Sequence, residues 1–284
     1  MAPRRGGREP RSPQWSRRNM LALLVLAALT VAALVAGLVL AVAHALNPTG
    51  GGNDASVVGA SVGNAIGPAT AAVPTGTASA AEARDALAAR PMPAVPESAS
   101  HPAPVSDRDP GPPIVLPPAT VTGPAGVPTG FPHTPEGAMA QLAAIDQTAL
   151  QSGSLSGARA VIAAWALPGG PTTTSWSGVR AMRTLLSAAG LSGGGSSQLA
   201  VVLTPLMGRV KGSVGPDFVV PCVDFELDVT LQQTARGATA DCQRMVWHGD
   251  RWMIGSGDEP AQPPSVWPDT DLALDVGYRD LRHG

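Results

Sequence analysis

Residues 222–231 read Cys-Val-Asp-Phe-Glu-Leu-Asp-Val-Thr-Leu, an unbroken alternation of apolar and polar side chains. Successive side chains of a strand point to opposite faces, so this stretch reads as a strand with two different faces. Val223, Phe225, Leu227, Val229 and Leu231 form the apolar face, and Asp224, Glu226 and Asp228 form the other. A slip of one residue would exchange the faces, so the pattern pins the strand's register. Ala238 to Trp247 reads as its antiparallel neighbour, with the turn centred near Gln232. His248-Gly249-Asp250-Arg251 then makes a tight turn into a final strand, Trp252-Met253-Ile254.

This register places Cys222 opposite Cys242 and Asp228 opposite Arg236. The two cysteines are the chain's only ones, and their opposition predicts a cross-strand disulfide. The competing readings are two buried thiols or a metal site, and two cysteines without a nearby histidine pair make a poor zinc set. One consequence is awkward: Asp241 falls on the face of Val223 and Phe225.

Upstream, the period changes from two to that of a helix. Thr134-Pro135-Glu136 is a helix start, with a Thr cap, Pro at the first position and an acid in the first turn. Met139, Leu142, Ile145 and Ala149 continue it at helical spacing. A second helix is predicted from about Ser156 to Leu167, ended by Pro168-Gly169-Gly170-Pro171. A third starts near Ser175 or Ser177, with the stripe Val179, Met182, Leu186 and Ala189, and Gly190 in the position that ends helices. Leu199 to Leu203 reads as a buried strand broken by Pro205. Three helices and then about four antiparallel strands make an α+β domain, over residues 132–257, with the helices packed on one face of a curved sheet.

The remainder reads differently. Met20 to Ala43 is a run of 24 uncharged, mostly apolar residues. As a helix it is roughly 36 Å long, enough for a hydrocarbon core of about 30 Å. Arg4, Arg5, Arg8, Arg11, Arg17 and Arg18 precede it, and the next basic residue is Arg84. That asymmetry predicts a basic cytoplasmic tail at 1–19, a single transmembrane helix at 20–46 and a cell-membrane protein whose C-terminal domain is extracytoplasmic. Ser16-Arg17-Arg18-Asn19-Met20-Leu21 resembles a twin-arginine export signal, and Ala41-Val42-Ala43 a cleavage site. The run is longer than the usual apolar region of a signal peptide, which favours a retained anchor. Residues 47–131 are rich in Ala, Gly, Pro, Thr and Ser, and 47–130 contain no aromatic residue. They read as a disordered linker, with only Ala80 to Arg90 hinting at a helix. Residues 258–284 read as a C-terminal extension.

The apolar run, the linker, the helix opening Thr134-Pro135-Glu136-Gly137-Ala138 and the closing hairpin Met245 to Ile254, with Trp252 after a Gly-Asp turn, carry a resemblance. Together they resemble the nuclear-transport-factor-two-like fold, and more narrowly its extracytoplasmic form in conjugal transfer and type IV secretion assembly proteins. The match covers about residues 20–46 and 132–256. Crowding with Ala, Gly and Pro, and arginine in place of lysine everywhere but Lys211, suit high-GC coding, and with the resemblance they imply a high-GC Gram-positive source. The resemblance implies a scaffold that joins membrane and envelope subunits of a transfer machine and self-associates. The linker is longer than that family leads one to expect, and the fold does not require the C-terminal extension.

No catalytic set is evident, and no cofactor or metal is expected. From residue 132 onward ten basic residues face fourteen acidic ones, a net charge of 10 − 14 = −4, so direct nucleic-acid binding is not expected. Asp224, Glu226 and Asp228 read first as the solvated face of a half-buried strand, and second as a partner-binding face. His248 with Asp250 could form an acid–base pair, though turn histidines are more often simply polar. His133 and His283 stand isolated at the domain's ends. Gly193-Gly194-Gly195-Ser196 lacks the lysine of a phosphate loop. The expected function is therefore a non-catalytic membrane-anchored scaffold or adaptor. The alternative is a small-molecule or lipid-binding accessory module of an envelope transporter.

Overall fold

Pairing around the alternating strand organises the fold. The structure is a computed structural model, and it describes residues 79–284. The tail at 1–19, the transmembrane helix expected at 20–46 and the first part of the linker, 47–78, lie outside the described residues. Among the described residues no helix is long and apolar enough to cross a membrane.

The alternating strand, β5 (Phe218–Thr230), lies between a long strand β4 (Ala200–Ser213) and, on its other side, β6 (Thr234–Cys242) and β7 (Met245–His248). Cys222 stands opposite Cys242 and Asp228 opposite Arg236, as the turn near Gln232 requires. The expected single strand from Ala238 to Trp247 is instead two, β6 and β7, parted at Gln243 and Arg244. Pairing keeps one register across the gap, because Phe218 faces Val246 and Val219 faces Met245. The gap lies opposite Pro221, which has no N–H to give; Gln243 N still reaches the Pro221 carbonyl, at 3.4 Å. β8 (Arg251–Ile254) completes the predicted hairpin with β7, and Gly249 holds the left-handed turn position at φ 65°. β4 runs through Pro205 where a break was expected. The chain absorbs the proline with a bulge before Met207, and a second bulge follows Val210.

Three helices cover the concave face: α2 (Pro135–Gln151), α3 (Leu155–Trp165) and α4 (Ser177–Ala188). Thr134 caps α2 by accepting from Gly137 N, and Ser154 caps α3 by accepting from Gly157 N. Met139, Leu142, Ile145, Ile162, Trp165, Val179 and Met182 meet Val223, Phe225, Leu227 and Val229 in the larger core cluster. This is an α+β fold with a curled sheet.

Two expectations fail here. The expected linker does not extend to residue 131. Ser79 starts a capped helix, α1 (Ala80–Ala89), and β1 (Ile114–Leu116), β2 (Val121–Thr122) and β3 (Pro128–Thr129) follow. The segment 258–284 is not an appendage either. It contains a short helix, α5 (Asp271–Asp275), and β9 (Arg279–His283), which pairs with β4 and, in parallel, with β1. Leu116 and Val127, from the stretch around β1 to β3, join the larger cluster with the helices, while α1 and the residues around α5 pack on the convex side of β5. Phe218, Val220 and Cys222 meet Val266, Ala273, Val276 and Tyr278 there in a second core cluster, with Leu87 and Met92 against it. Side chains such as Ala88, Leu116 and Val127 are buried without any aromatic neighbour in their own segment. They need no core of their own, because they add to a surface the strands already present.

Cys222 and Cys242 are joined across β5 and β6, with Cα atoms 4.1 Å apart. The closed loop spans 20 residues, for which chain-entropy reasoning gives about 3 kcal/mol. Replacing both cysteines by Ala is expected to lower unfolding stability by about 2–4 kcal/mol, read from urea midpoints. Equal midpoints for the two proteins would contradict it.

Candidate functional site

The three carboxylates expected to form one open partner face do not do so. Asp224 is fully buried. The segment after Glu259 crosses it, and Val266 N donates to Asp224 Oδ1 at 3.4 Å. Burial pushes the Asp224 carboxyl well above the usual range, Val266 opposes that shift and Asp269 adds to it. Glu226 and Asp228 lie nearer the surface and share Arg236. Its Nε donates at 2.9 Å to Glu226 and 3.2 Å to Asp228. The Arg236 guanidinium also stands 5.4 Å from the Trp267 ring centroid, so the C-terminal segment reaches this pair too. Of the three, only Glu226 and Asp228 keep partial exposure.

His248 and Asp250 form no pair. Asp250 accepts from Arg251 Nε at 2.9 Å, and Arg251 holds its carboxyl below the usual range. His133, read as isolated, stacks on Trp247 at 4.3 Å and brings Nε2 within 2.9 Å of Asp217. A contact between residues this far apart in sequence leaves no local signal.

The cluster with most chemistry lies inside the concave face. Asp241 on β6 faces inward beside Val223, as the register demands, and is nearly buried. Asp146, on α2 next to Ile145, faces the same interior and is also buried. Glu259 enters after β8. Its Oε1 accepts from Ser177 N at 2.9 Å and from Ser177 Oγ at 2.6 Å, and its Oε2 pairs with Arg180 at 3.2 Å. Residue 176, at the start of α4, is a Trp whose side chain caps nothing. Glu259 therefore supplies from a distant segment the negative group that a helix N-terminus favours. Gln243 Nε2 ties the network together, donating to Asp241 Oδ2 at 2.9 Å and Glu259 Oε1 at 3.2 Å.

Of these three carboxyls, Glu259 alone pairs with a guanidinium among the described residues. Burial and then Glu259 push Asp241 up to about 7. Burial, then Asp241 and Glu259, push Asp146 well above the usual range. Asp146, Thr239 and Asp241 line a cavity with Leu150, Leu203 and Phe225. Its volume is about 10 Å³, room for one water molecule. Asp146 Oδ2 and Thr239 Oγ1 make no hydrogen bond among the described residues. The arrangement can hold and release a proton near neutral pH within a packed interior. Among the described residues no three side chains of His, Cys, Asp or Glu are placed to hold a metal ion. The sequence signal for this cluster was Asp241 on an apolar face; Asp146 and Glu259 gave none.

A carboxyl whose folded pKa exceeds its unfolded value stabilises the fold fully below the unfolded pKa, and that contribution is lost as pH rises through the folded pKa. For Asp241 the window runs from about 4 to about 7. Asp241→Asn should therefore flatten the fall in stability between pH 5 and pH 8, by on the order of 2 kcal/mol. Urea unfolding at the two pH values measures this, and an unchanged slope would refute it.

In comparisons with family models, curated proteins and solved structures, nothing matches this chain.

Proposed function

We propose that the chain is a non-catalytic, membrane-anchored scaffold or adaptor of a cell-envelope conjugation or type IV secretion machine. In this reading the described residues form an extracytoplasmic domain of the nuclear-transport-factor-two-like kind. Its partners are other membrane or envelope subunits and further copies of itself. The arginine cluster before the apolar run Met20 to Ala43 supports the location. Three helices over a curled sheet that closes in the hairpin Met245 to Ile254 support the fold assignment.

The observation that carries the contact reading is the filled interior. Trp176, Met182, Ile145 and Phe225 pack between helices and sheet, and the cavity beside Asp241 is about 10 Å³. Pockets for drug-sized ligands measure about 300–1,000 Å³. A lipid or cofactor-sized ligand would have to displace core side chains to enter this interior, which disfavours an internal ligand site; the larger depressions, about 310 Å³ beside Thr122 and Arg251 and about 280 Å³ beside Trp165 and His248, lie at the other end of the helices and hairpin. Recognition then falls to the outer surface, where Glu226 and Asp228 stand beside Val202, which is 47% exposed. A domain anchored in the same membrane as its partners also needs only weak contacts.

The double change Glu226→Arg, Asp228→Arg should lower conjugative transfer at least about tenfold, the equivalent of 1.4 kcal/mol of lost contact. It should also deplete co-purifying channel subunits while the protein remains folded and in the membrane. His248→Ala with Asp250→Ala should leave both readouts unchanged. If the His248 and Asp250 changes abolish transfer and the acidic changes do not, the scaffold reading fails.

A further inference from the structure

On the convex side, three cations lie on neighbouring segments, each bonded to a backbone carbonyl. Lys211, the chain's only lysine, is 4% exposed, and its Nζ donates to the Ala88 carbonyl at the end of α1, at 2.7 Å. Arg90, just past that helix end, donates to the Lys211 carbonyl. Arg209, two residues before Lys211 on β4, donates to the Val276 carbonyl after α5. Gly277 makes room for it, since a Cβ there would come within 3.2 Å of Arg209 Nη1. None of the three forms an ion pair among the described residues.

Backbone carbonyls satisfy individual donors but leave three positive charges without a counter-charge among the described residues. Gathering like charges around a buried ammonium is unfavourable, and the ammonium responds. Burial, then Arg90 and Arg209, lower the Lys211 pKa to about 8. Arg90 is exposed and Arg209 half-buried, so solvent reaches the cluster from outside. Guanidinium forks with spare N–H groups beside an ammonium suit a tetrahedral oxyanion, which takes parallel charge-assisted hydrogen bonds from such donors.

We propose that Arg90, Arg209 and Lys211 form a binding site for a phosphate-type oxyanion, carried by a free phosphate or by an anionic lipid headgroup. The ligand would bridge the end of α1, β4 and the turn after α5, and so join the two segments that cover the second core.

The lone lysine makes the test direct. Full-length protein in detergent, labelled with ¹³C-lysine, should give one lysine side-chain signal to follow. Inorganic phosphate at constant ionic strength is added in one arm. In the other, vesicles of phosphatidylcholine with or without phosphatidylglycerol are added in phosphate-free buffer. Binding should shift the signal saturably and raise its pKa from about 8 toward 10.5. Arg90→Gln should weaken it about tenfold, as expected for one charge-assisted bond. A response to free phosphate identifies a soluble ligand, and a response to phosphatidylglycerol alone identifies a headgroup; either upholds the site. If neither moves Lys211 in the wild-type protein beyond chloride at the same ionic strength, the proposal is overturned.

Discussion

Everything in this fold depends on the register of one strand. With Cys222 opposite Cys242, β5 turns Val223, Phe225, Leu227 and Val229 toward the helices and Phe218, Val220 and Cys222 toward the other side. A one-residue slip would reverse every one of these assignments. The disulfide, the Asp228–Arg236 opposition and the matched pairing of β7 hold the same alignment from three points along the strand. Because the N-terminal half of β5 is apolar on both faces, the sheet must be covered twice. Three helices cover the concave side, and α1 with the C-terminal segment covers the convex side.

This double covering decides the electrostatics. On the concave side Asp146, Asp241 and Glu259 are drawn together, and among the described residues only Glu259 has a cationic partner, Arg180. On the convex side Arg90, Arg209 and Lys211 gather at the junction of α1, β4 and the turn after α5. Each group is held by chain segments far apart in sequence, so each reports on whether those segments remain docked. Glu259 shows the coupling most plainly: it begins the C-terminal segment and at the same time supplies the anion that the N-terminus of α4 requires.

Much of the architecture was legible. The alternation of 222–231, the Thr134 cap, the Gly190 stop and the Gly249 turn are local features whose physics acts within a few residues. Contacts with distant segments are not legible in this way. A segment without aromatics has the composition of a linker, yet Leu116 and Val127 are buried, and Leu87 half-buried, against a surface made elsewhere. Asp224 was placed in solvent because its neighbours in the pattern are charged, and only the return of Val266 covers it. Proline was read as a strand break at Pro205, where a bulge accommodates it, while the effective interruption came from Pro221, across from Gln243.

Periods, caps, turns and the pairing of the two cysteines can be read along the chain, because each rests on backbone geometry repeated over a few residues. Which face stays wet, which acids meet and where the cations gather follow from packing between distant segments. Those outcomes depend on burial, and burial at Asp146, Asp224, Asp241 and Lys211 is imposed by segments distant in the chain. Electrostatic energies change several-fold between water and a protein interior. The same carboxylate or ammonium therefore has one chemistry in the sequence and another in the fold.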